Sequence, residues 1–417
     1  MLSVRLLLAL SLVCLSVGCR PKKPPVVNTI NYSEELAPGQ LALRKIEPSE
    51  YPVFSLRQSN LAAITKSIDH SIQYLNRASS KTFYPYLDIT HDRAKASLLA
   101  LRETIAGSSM GVGDEEFSRT IADKFEVYQS IGGRDPQTGE FSNRVLFTAY
   151  CTPIYEASLT KTGPFLYPLY KRPADLVSDP ISGEVKGRRT ADESIVPYYS
   201  RQQIEQDGVL AGQELVWLKS KLDVYIITIQ GSARLQLTDG RMLEIGYAGA
   251  NGLEYVSPGQ QMVADGLITK EQLSLRGLKA YFASHPEDQD RYLSLNPRYV
   301  FFAETAGGPY GSLNVPVTEM ASIATDKSVY PRAMPAFVDA PVVDQAGTPA
   351  PYRGFMMDQD TGGAIRAAGR TDIYMGIGPA AEARSGQQLN PGALYYVAVK
   401  PEYVETYLQQ MDTTPDH

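Results

Sequence analysis

The sequence predicts a mainly β protein with a helical N-terminal part, and two observations carry this prediction. Beyond Gly133, short apolar runs alternate with turn residues in a chain that contains 33 Gly and 28 Pro among its 417 residues, as is typical of a turn-rich β protein. Asp239-Gly240 separates two of these runs, which is a strong signal for a β-hairpin. A chain of this length is too long for one ordinary domain, so we expect two cores.

Three helical patterns lie in the N-terminal part. Their apolar residues recur at 61–75, 94–105 and 117–128. Each set has the spacing of one helix face, and each follows an Asn, Thr or Asp of the kind that begins helices. The patterns therefore predict three amphipathic helices.

Short β runs fill the rest of the chain, and one further helical stretch, at 270–285, interrupts them. We predict strands at 145–150, 224–229, 235–245, 299–303, 321–338 and 394–399.

The N-terminus has the features of an export signal. Its apolar run, 6–17, is shorter than the roughly 20 residues that span a bilayer. Val17-Gly18-Cys19 resembles the end of a bacterial lipoprotein signal, in which cleavage after residues 1–18 leaves Cys19 acylated. Plain secretion is the alternative.

The segment that follows favours a lipid-anchored protein. Residues 19–50 are rich in Pro, Asn and Glu, which suits a tether between a membrane and a folded body. Arg20, rather than aspartate, stands after the cysteine and favours the outer membrane under the usual sorting rule. We expect the protein on the periplasmic side of the outer membrane, with the membrane contacted through the N-terminal lipid.

The composition argues against several classes of protein. Forty basic residues stand against 46 acidic ones, for a net charge of -6, and the basic residues form no stripe, so we expect no nucleic-acid partner. The four histidines lie far apart and the three cysteines form no C-x-x-C pair, so we expect no metal site and no cofactor. Cys151 would be a buried small apolar residue rather than a nucleophile.

Three motifs resemble those of other enzyme classes, but the residues around them do not support those classes. The one G-x-S-x-G match, at 107–111, follows a predicted helix rather than a strand, so it is not a serine elbow. Residues 376–381 superficially resemble a dinucleotide fingerprint, but Pro379 removes a backbone donor, so we predict a glycine turn before a short helix. Asp360-Thr361-Gly362 resembles the aspartic-protease triplet, yet such enzymes need two copies and this chain has one.

A group of acids remains in the C-terminal third: Asp326, Asp358, Asp360 and Asp372. Each is next to an apolar, strand-like segment, and Asp372 opens Ile373-Tyr374-Met375. A carboxyl group in such surroundings loses its hydration, which raises its pKa as a general acid requires. The alternative is that each aspartate caps a turn.

Several motifs occur together in a specific order. They are Gln359 to Arg366, Asp372-Ile373-Tyr374 and Gly376-Ile377-Gly378, preceded by 147–153, 229–232, 247–252, 296–302 and 324–331. With these motifs the chain resembles the membrane-bound lytic murein transglycosylase A family, whose barrel is similar to the three-aspartate domain of other cell-wall enzymes.

The resemblance implies a fold with two domains. A double-psi β-barrel with N-terminal helices would comprise residues 51–153 and 304–417. A smaller β domain, inserted at 154–303, would form the other wall of a cleft that binds the glycan strand of peptidoglycan.

The resemblance also implies an enzyme that cleaves the β-1,4 bond between N-acetylmuramic acid and N-acetylglucosamine and leaves a 1,6-anhydro end. Asp372 would act as general acid and then as base, and Asp360 and Asp326 would support it. Family position suggests further contacts with the sugar at Thr148, Tyr150, Gln230, Ser232, Asn251, Gly362, Gly363 and Tyr374. The sequence identifies no protein partner.

The chain departs from the family pattern at three positions. Cys151 stands where a tyrosine is usual, and Ala149 and Ala367 stand where glycines are usual. None of these changes removes an acid. Two alternatives stay open: a hydrolytic muramidase in which Asp360 activates water, and a peptidoglycan-binding lipoprotein without activity.

Overall fold

The structure is a computed structural model that describes residues 30–108, 113–179, 185–269, 272–273, 275–362 and 365–412. The helices in these ranges are α1 Leu61–Leu75, α2 His91–Gly107, α3 Asp114–Lys124, α4 Arg201–Gln206, α5 Lys221–Gln230, α6 Pro258–Ala264, α7 Leu275–Ser284, α8 Gln289–Leu293, α9 Pro379–Ser385 and α10 Val404–Asp412.

The strands in the same ranges are β1 Leu43–Lys45, β2 Phe125–Ser130, β3 Val145–Thr152, β4 Ile154–Ser158, β5 Tyr167–Tyr170, β6 Leu176–Ser178, β7 Val185–Arg189, β8 Ile195–Val196, β9 Glu214–Leu218, β10 Ser232–Leu237, β11 Met242–Ala250, β12 Val300–Glu304, β13 Ser322–Ala324, β14 Pro335–Val343, β15 Pro349–Asp360, β16 Arg370–Ile377 and β17 Asn390–Val399.

Six strands form a closed barrel. They pair in the cyclic order β17-β14-β15-β13-β16-β3, and β3 pairs back onto β17. The β13–β15 and β16–β3 pairs are parallel, and the other four are antiparallel. Because β3 precedes the other five strands by more than 150 residues, the barrel joins segments that lie before and after the inserted part. The ring confirms the predicted barrel.

The N-terminal helices pack against this barrel as their patterns predict. Asn60 accepts a hydrogen bond from the Ala63 N–H (3.1 Å) and so caps α1, and Thr90 caps α2 in the same way. The third helix is shorter than predicted. It ends at Lys124, and residues 125–130 form β2, because their pairing with β1 and β17 overrides the helical spacing. The strand β1 lies within the segment predicted as a tether.

The inserted part has its own sheet, in the order β12-β11-β10-β4-β9-β5, and its own buried core. The predicted hairpin at Asp239-Gly240 joins β10 to β11 and is confirmed. A bridge between Lys171 and Phe302 brings the two edges of the sheet together. A separate three-stranded sheet, β6-β7-β8, is formed by the part of the chain between β5 and β9.

One predicted strand is a helix. Residues 224–229 belong to α5, where Val224, Tyr225 and Ile227 are all buried. A helix buried on most sides has the same continuous apolar run as a buried strand, so the spacing alone misleads. The helix expected at 270–285 is confirmed over residues 275–284 as α7, and 270, 271 and 274 lie outside the described residues.

Within the described ranges, no helix combines the length and the apolar character that a membrane crossing requires. The export signal 1–18 and the proposed lipid site Cys19 lie outside the described residues.

Candidate active site

Asp360 and Asp372 lie on either side of one short barrel strand. Ala324, the last residue of β13, pairs with Asp360 on β15 and with Asp372 on β16. The barrel therefore brings together two carboxyl groups that are 12 residues apart in sequence, at the same level of the two strands that flank β13.

Asp372 is shielded from solvent but is not isolated. Its side chain is 18% exposed. Thr148 is the residue of β3 that pairs with Asp372, and its hydroxyl donates a hydrogen bond to Asp372 Oδ1. Arg370 lies on the same face of β16 and places Nη2 3.9 Å from the same oxygen and 3.1 Å from Thr148 Oγ1.

The surroundings of Asp372 push its pKa in opposite directions. Burial raises the pKa most, as the apolar neighbours in the sequence predict, and the charge of Asp360 adds to the rise. The Thr148 hydrogen bond and the Arg370 charge oppose it, but the net direction is upward. A carboxyl group of this kind holds its proton to a higher pH than an exposed one.

Asp360 is held by backbone donors. Its Oδ1 accepts hydrogen bonds from the Ser312 N–H (2.7 Å) and the Thr361 N–H (2.8 Å). Burial raises its pKa, whereas these N–H groups, the neighbouring Tyr150 and the charge of Lys327 lower it; the net direction is again upward. The side chain is therefore fixed in place while one oxygen stays free of backbone donors.

A buried ion pair lies close to Asp360. Lys327 Nζ contacts Asp358 Oδ1, and both side chains are almost fully buried. Hydrogen bonds to Asp358 Oδ2 from the Thr325 and Tyr396 hydroxyls, each 2.7 Å long, complete this network.

Two predicted contact residues form an aromatic pair beside the acids. The rings of Tyr150 and Tyr374, on β3 and β16, have centroids 5.1 Å apart. Tyr374 shares a hydrogen bond of 3.1 Å with the Thr152 hydroxyl. The buried Tyr150 hydroxyl has no hydrogen-bond partner of normal geometry among the described residues, although it lies near enough to Asp360 to lower the pKa of that carboxyl.

Asp326 is buried away from this pair. Its carboxylate accepts hydrogen bonds from the Ser328 N–H (3.0 Å), the Ser328 hydroxyl (2.6 Å) and the Ala367 N–H (2.8 Å). Ala367 has a φ of 69°, in the left-handed region that suits glycine. Among the described contacts, Asp326 reaches neither Asp360 nor Asp372, and it ties two loops of the barrel together.

The predicted contacts on the inserted domain divide into two kinds. Gln230 ends α5 and Ser232 begins β10, so both lie at one end of the inserted sheet. Asn251 is buried, and its amide donates to the carbonyls of Tyr199 (2.9 Å) and Pro297 (2.8 Å). Both amide hydrogens of Asn251 are thus used within the inserted domain.

The remaining predicted positions lie in or near the same region. Gly362 follows Asp360 in the loop after β15, and Gly363 lies outside the described residues. Cys151 is a free, half-buried thiol packed on the barrel core. Burial raises its pKa, which disfavours the thiolate and agrees with the predicted structural role.

Comparison with known proteins assigns the chain to a family. The model of the MltA specific insert domain matches residues 146–303, and the model of the 3D domain matches residues 321–398. The membrane-bound lytic murein transglycosylase A of Vibrio cholerae is 30% identical over 277 residues, which cover 65% of this chain and 68% of that protein. The chain belongs to the membrane-bound lytic murein transglycosylase A family. Its members are enzymes.

Further members and solved structures agree with this assignment. The protein of the same name from Escherichia coli is 31% identical over 265 residues, which cover 62% of this chain and 66% of that protein. A crystal structure of a membrane-bound lytic murein transglycosylase from Agrobacterium tumefaciens has a TM-score of 0.67 at 24% identity, covering 88% of this chain and 99% of that one. E. coli MltA with bound chitohexaose has a TM-score of 0.62 at 22% identity, covering 91% and 100%. These two structures support the fold.

One charged residue of the site was not predicted from the sequence. Arg370 stands two positions before Asp372, a spacing that puts both on one face of a strand, so the signal was available.

Proposed function

We propose that this protein is a peptidoglycan lytic transglycosylase that cleaves the bond between N-acetylmuramic acid and N-acetylglucosamine and forms a 1,6-anhydro end. One observation carries the proposal: Asp372 is a desolvated carboxyl group with a raised pKa, held by Thr148 at the level of Asp360. A group that stays protonated in a shielded site is suited to donate a proton to a leaving oxygen.

The reaction needs one proton carrier and no water. Asp372 donates its proton to the glycosidic oxygen as the bond from C1 to that oxygen breaks, which releases the N-acetylglucosamine end as an alcohol. The C6 hydroxyl of the same muramic acid then attacks C1, and Asp372 accepts the hydroxyl proton. The substrate supplies its own nucleophile, and intramolecular delivery can reach effective concentrations of about 10⁵ M or more.

Asp360 would stabilise the positive charge that develops at C1. Its Oδ1 is held by two backbone N–H groups, which also favour the ionised form, and an oriented carboxylate needs little reorganisation during the reaction. Thr148 would position Asp372 for both proton transfers.

The substrate would lie between the barrel and the inserted domain at 154–303. Thr148, Tyr150, Gly362 and Tyr374 would contact the sugar from the barrel, and Gln230 and Ser232 from the inserted domain. Asn251 would shape that wall from within. Acylation of Cys19 would hold the enzyme at the outer membrane, a location in keeping with the name "membrane-bound" that its relatives carry.

The mass of the products tests the reaction. Purified protein incubated with peptidoglycan sacculi should release muropeptides that are lighter by one water than the products of a muramidase. Products of full hydrolytic mass would instead support the muramidase alternative, in which Asp360 activates water as the second carboxylate of a glycosidase. Binding to sacculi without release would support a protein that has no activity.

Substitution of the proposed acid tests the mechanism. Asp372→Asn should lower the rate of release about 10²–10⁴-fold with binding retained, because only the transferable proton is removed. The matched control is Asp339→Asn, which changes a half-exposed carboxylate paired with Arg353 (3.2 Å) on the barrel and should leave the rate unchanged. Near-normal release by Asp372→Asn would assign the acid to another residue.

A further inference from the structure

Three residues form a row across the inserted sheet. Arg234 on β10 pairs directly with Ile154 on β4 and with Glu244 on β11. Aligned residues of neighbouring strands project to the same face of a sheet, and the opposite face holds the buried core of the inserted domain. The row therefore lies on the outer face of this sheet.

This outer face meets the barrel next to the site. Ile154 packs against Gly378, just after β16. A Cβ atom on residue 378 would be only 3.2 Å from Ile154 Cδ1. The Arg234 charge acts on the Tyr374 hydroxyl, where it opposes the rise in pKa that burial causes. Tyr374 lies two residues beyond Asp372 on β16, which is about 7 Å along the strand and on the same face. Arg234 thus approaches the barrel beside Tyr374, which shares a face of β16 with the proposed acid.

The guanidinium of Arg234 has unused donors. Its Nη1 is 3.8 Å from Glu244 Oε1, too far for a hydrogen bond, and its buried Nε has no partner among the described residues. Glu244, which pairs with Arg234, and Glu319, whose charge also acts on Tyr374, both have other partners. Glu244 accepts the Gly308 N–H (3.0 Å), and Glu319 accepts a hydrogen bond from Arg384 (2.6 Å). The side chain as a whole is 34% exposed, so its terminal nitrogens are the donors that an oxygen acceptor of a ligand can reach.

We propose that Arg234 binds the lactyl group of an N-acetylmuramic acid residue, and so distinguishes muramic acid glycan from a chain of N-acetylglucosamine alone. The inference rests on the proposed function, because it takes the glycan to lie between the inserted domain and the barrel. The lactyl group is the oxygen-bearing substituent that N-acetylmuramic acid has and N-acetylglucosamine lacks. A guanidinium donates two parallel hydrogen bonds to a carboxylate and a weaker one to an amide carbonyl.

Binding measurements in the Asp372→Asn background, where turnover is suppressed, test the inference. The probes are chitohexaose, a peptide-free hexasaccharide of alternating N-acetylglucosamine and N-acetylmuramic acid, and the same hexasaccharide with peptide stems. Adding Arg234→Ala should raise the Kd for the peptide-free muramoyl probe about tenfold or more. The loss should be smaller for the stem-bearing probe, whose lactyl group is an amide, and absent for chitohexaose. Arg234→Lys should restore part of the affinity.

The matched control is Arg241→Ala, which removes an exposed arginine of the same hairpin that pairs with Asp239 (2.7 Å) and should change none of the three affinities. An equal loss for chitohexaose and the muramoyl probes, or no loss for any, would overturn the assignment to Arg234. If the Asp372→Asn protein bound none of the probes, the failure would instead lie with the proposed function. Thermal unfolding of each variant verifies that the fold is intact.

Discussion

Asp360 and Asp372 are register partners of the same residue, Ala324, and so stand two strand spacings apart, with Cα atoms about 10 Å from each other. Their surroundings differ. Asp360 accepts two backbone N–H groups, whereas Asp372 accepts only a hydroxyl and has an arginine nearby. The pair is therefore asymmetric: one carboxyl group is fixed as an acceptor, and the other is free to exchange a proton.

Arg370 should set the pH range of the enzyme. Its positive charge lowers the pKa of Asp372, although burial keeps the net direction upward. Under the proposed mechanism, activity requires protonated Asp372 and falls as pH rises through its pKa. Arg370→Gln should therefore move the alkaline limb of the kcat/KM profile to higher pH, because the raised pKa would rise further.

The control for this prediction is Arg370→Lys, which keeps the charge and should keep the limb close to its original position. Asp360 also faces Asp372, and Tyr150 lies near both; neither variant changes them. A lower rate with an unchanged pH profile would mean that Arg370 acts only through its hydrogen bond to Thr148.

The proposed acid should also reduce stability at neutral pH. The pKa of folded Asp372 is raised above 3.8, mainly by burial, so its contribution to stability is complete below that value and is lost as pH rises through the folded pKa. Asp372→Asn keeps an oxygen acceptor for Thr148 and removes the charge. Its Tm should exceed that of the wild type by a few degrees at pH 7, and the difference should vanish below about pH 4. A lower Tm at pH 7 would contradict this account.

The buried pair Lys327 and Asp358 should be strongly coupled. Asp358→Asn leaves a buried ammonium without its counter-charge, at a cost of about 3–5 kcal/mol in the free energy of unfolding. Adding Lys327→Met removes the stranded charge and should recover much of that loss. Denaturant unfolding of the two single variants and the double variant measures the coupling, and additive effects would show that the pair does not act as a unit.

The sequence predicted the fold where local signals and packing agree. The caps at Asn60 and Thr90 and the hairpin at Asp239-Gly240 each depend on a few adjacent residues, and all three are observed. It failed at 224–229 and at 125–128, where burial or strand pairing outweighs the spacing of apolar residues.

The candidate site likewise has features that adjacent residues indicate and features that depend on long-range pairing. The apolar neighbours of Asp372 indicate its desolvation directly. The closeness of Asp360 and Asp372 does not follow from local spacing. It arises from pairing with Ala324 of β13, which is 36 residues before Asp360 and 48 before Asp372. Arg234 is further removed still, since a second domain carries it.

Asp326→Asn should lower stability and leave activity unchanged, which is the opposite of the result expected for Asp372→Asn. Its carboxylate accepts three hydrogen bonds from two loops, so an asparagine would turn an NH2 group toward Ser328 or the Ala367 N–H. The loss of an acceptor for a buried donor costs about 1–3 kcal/mol, which denaturant unfolding would detect. Because Asp326 contacts neither of the other acids, the folded Asp326→Asn enzyme should keep its rate of muropeptide release per molecule, whereas Asp372→Asn should lose its rate and keep its fold. A stable Asp326→Asn protein without activity would place Asp326 in the chemistry.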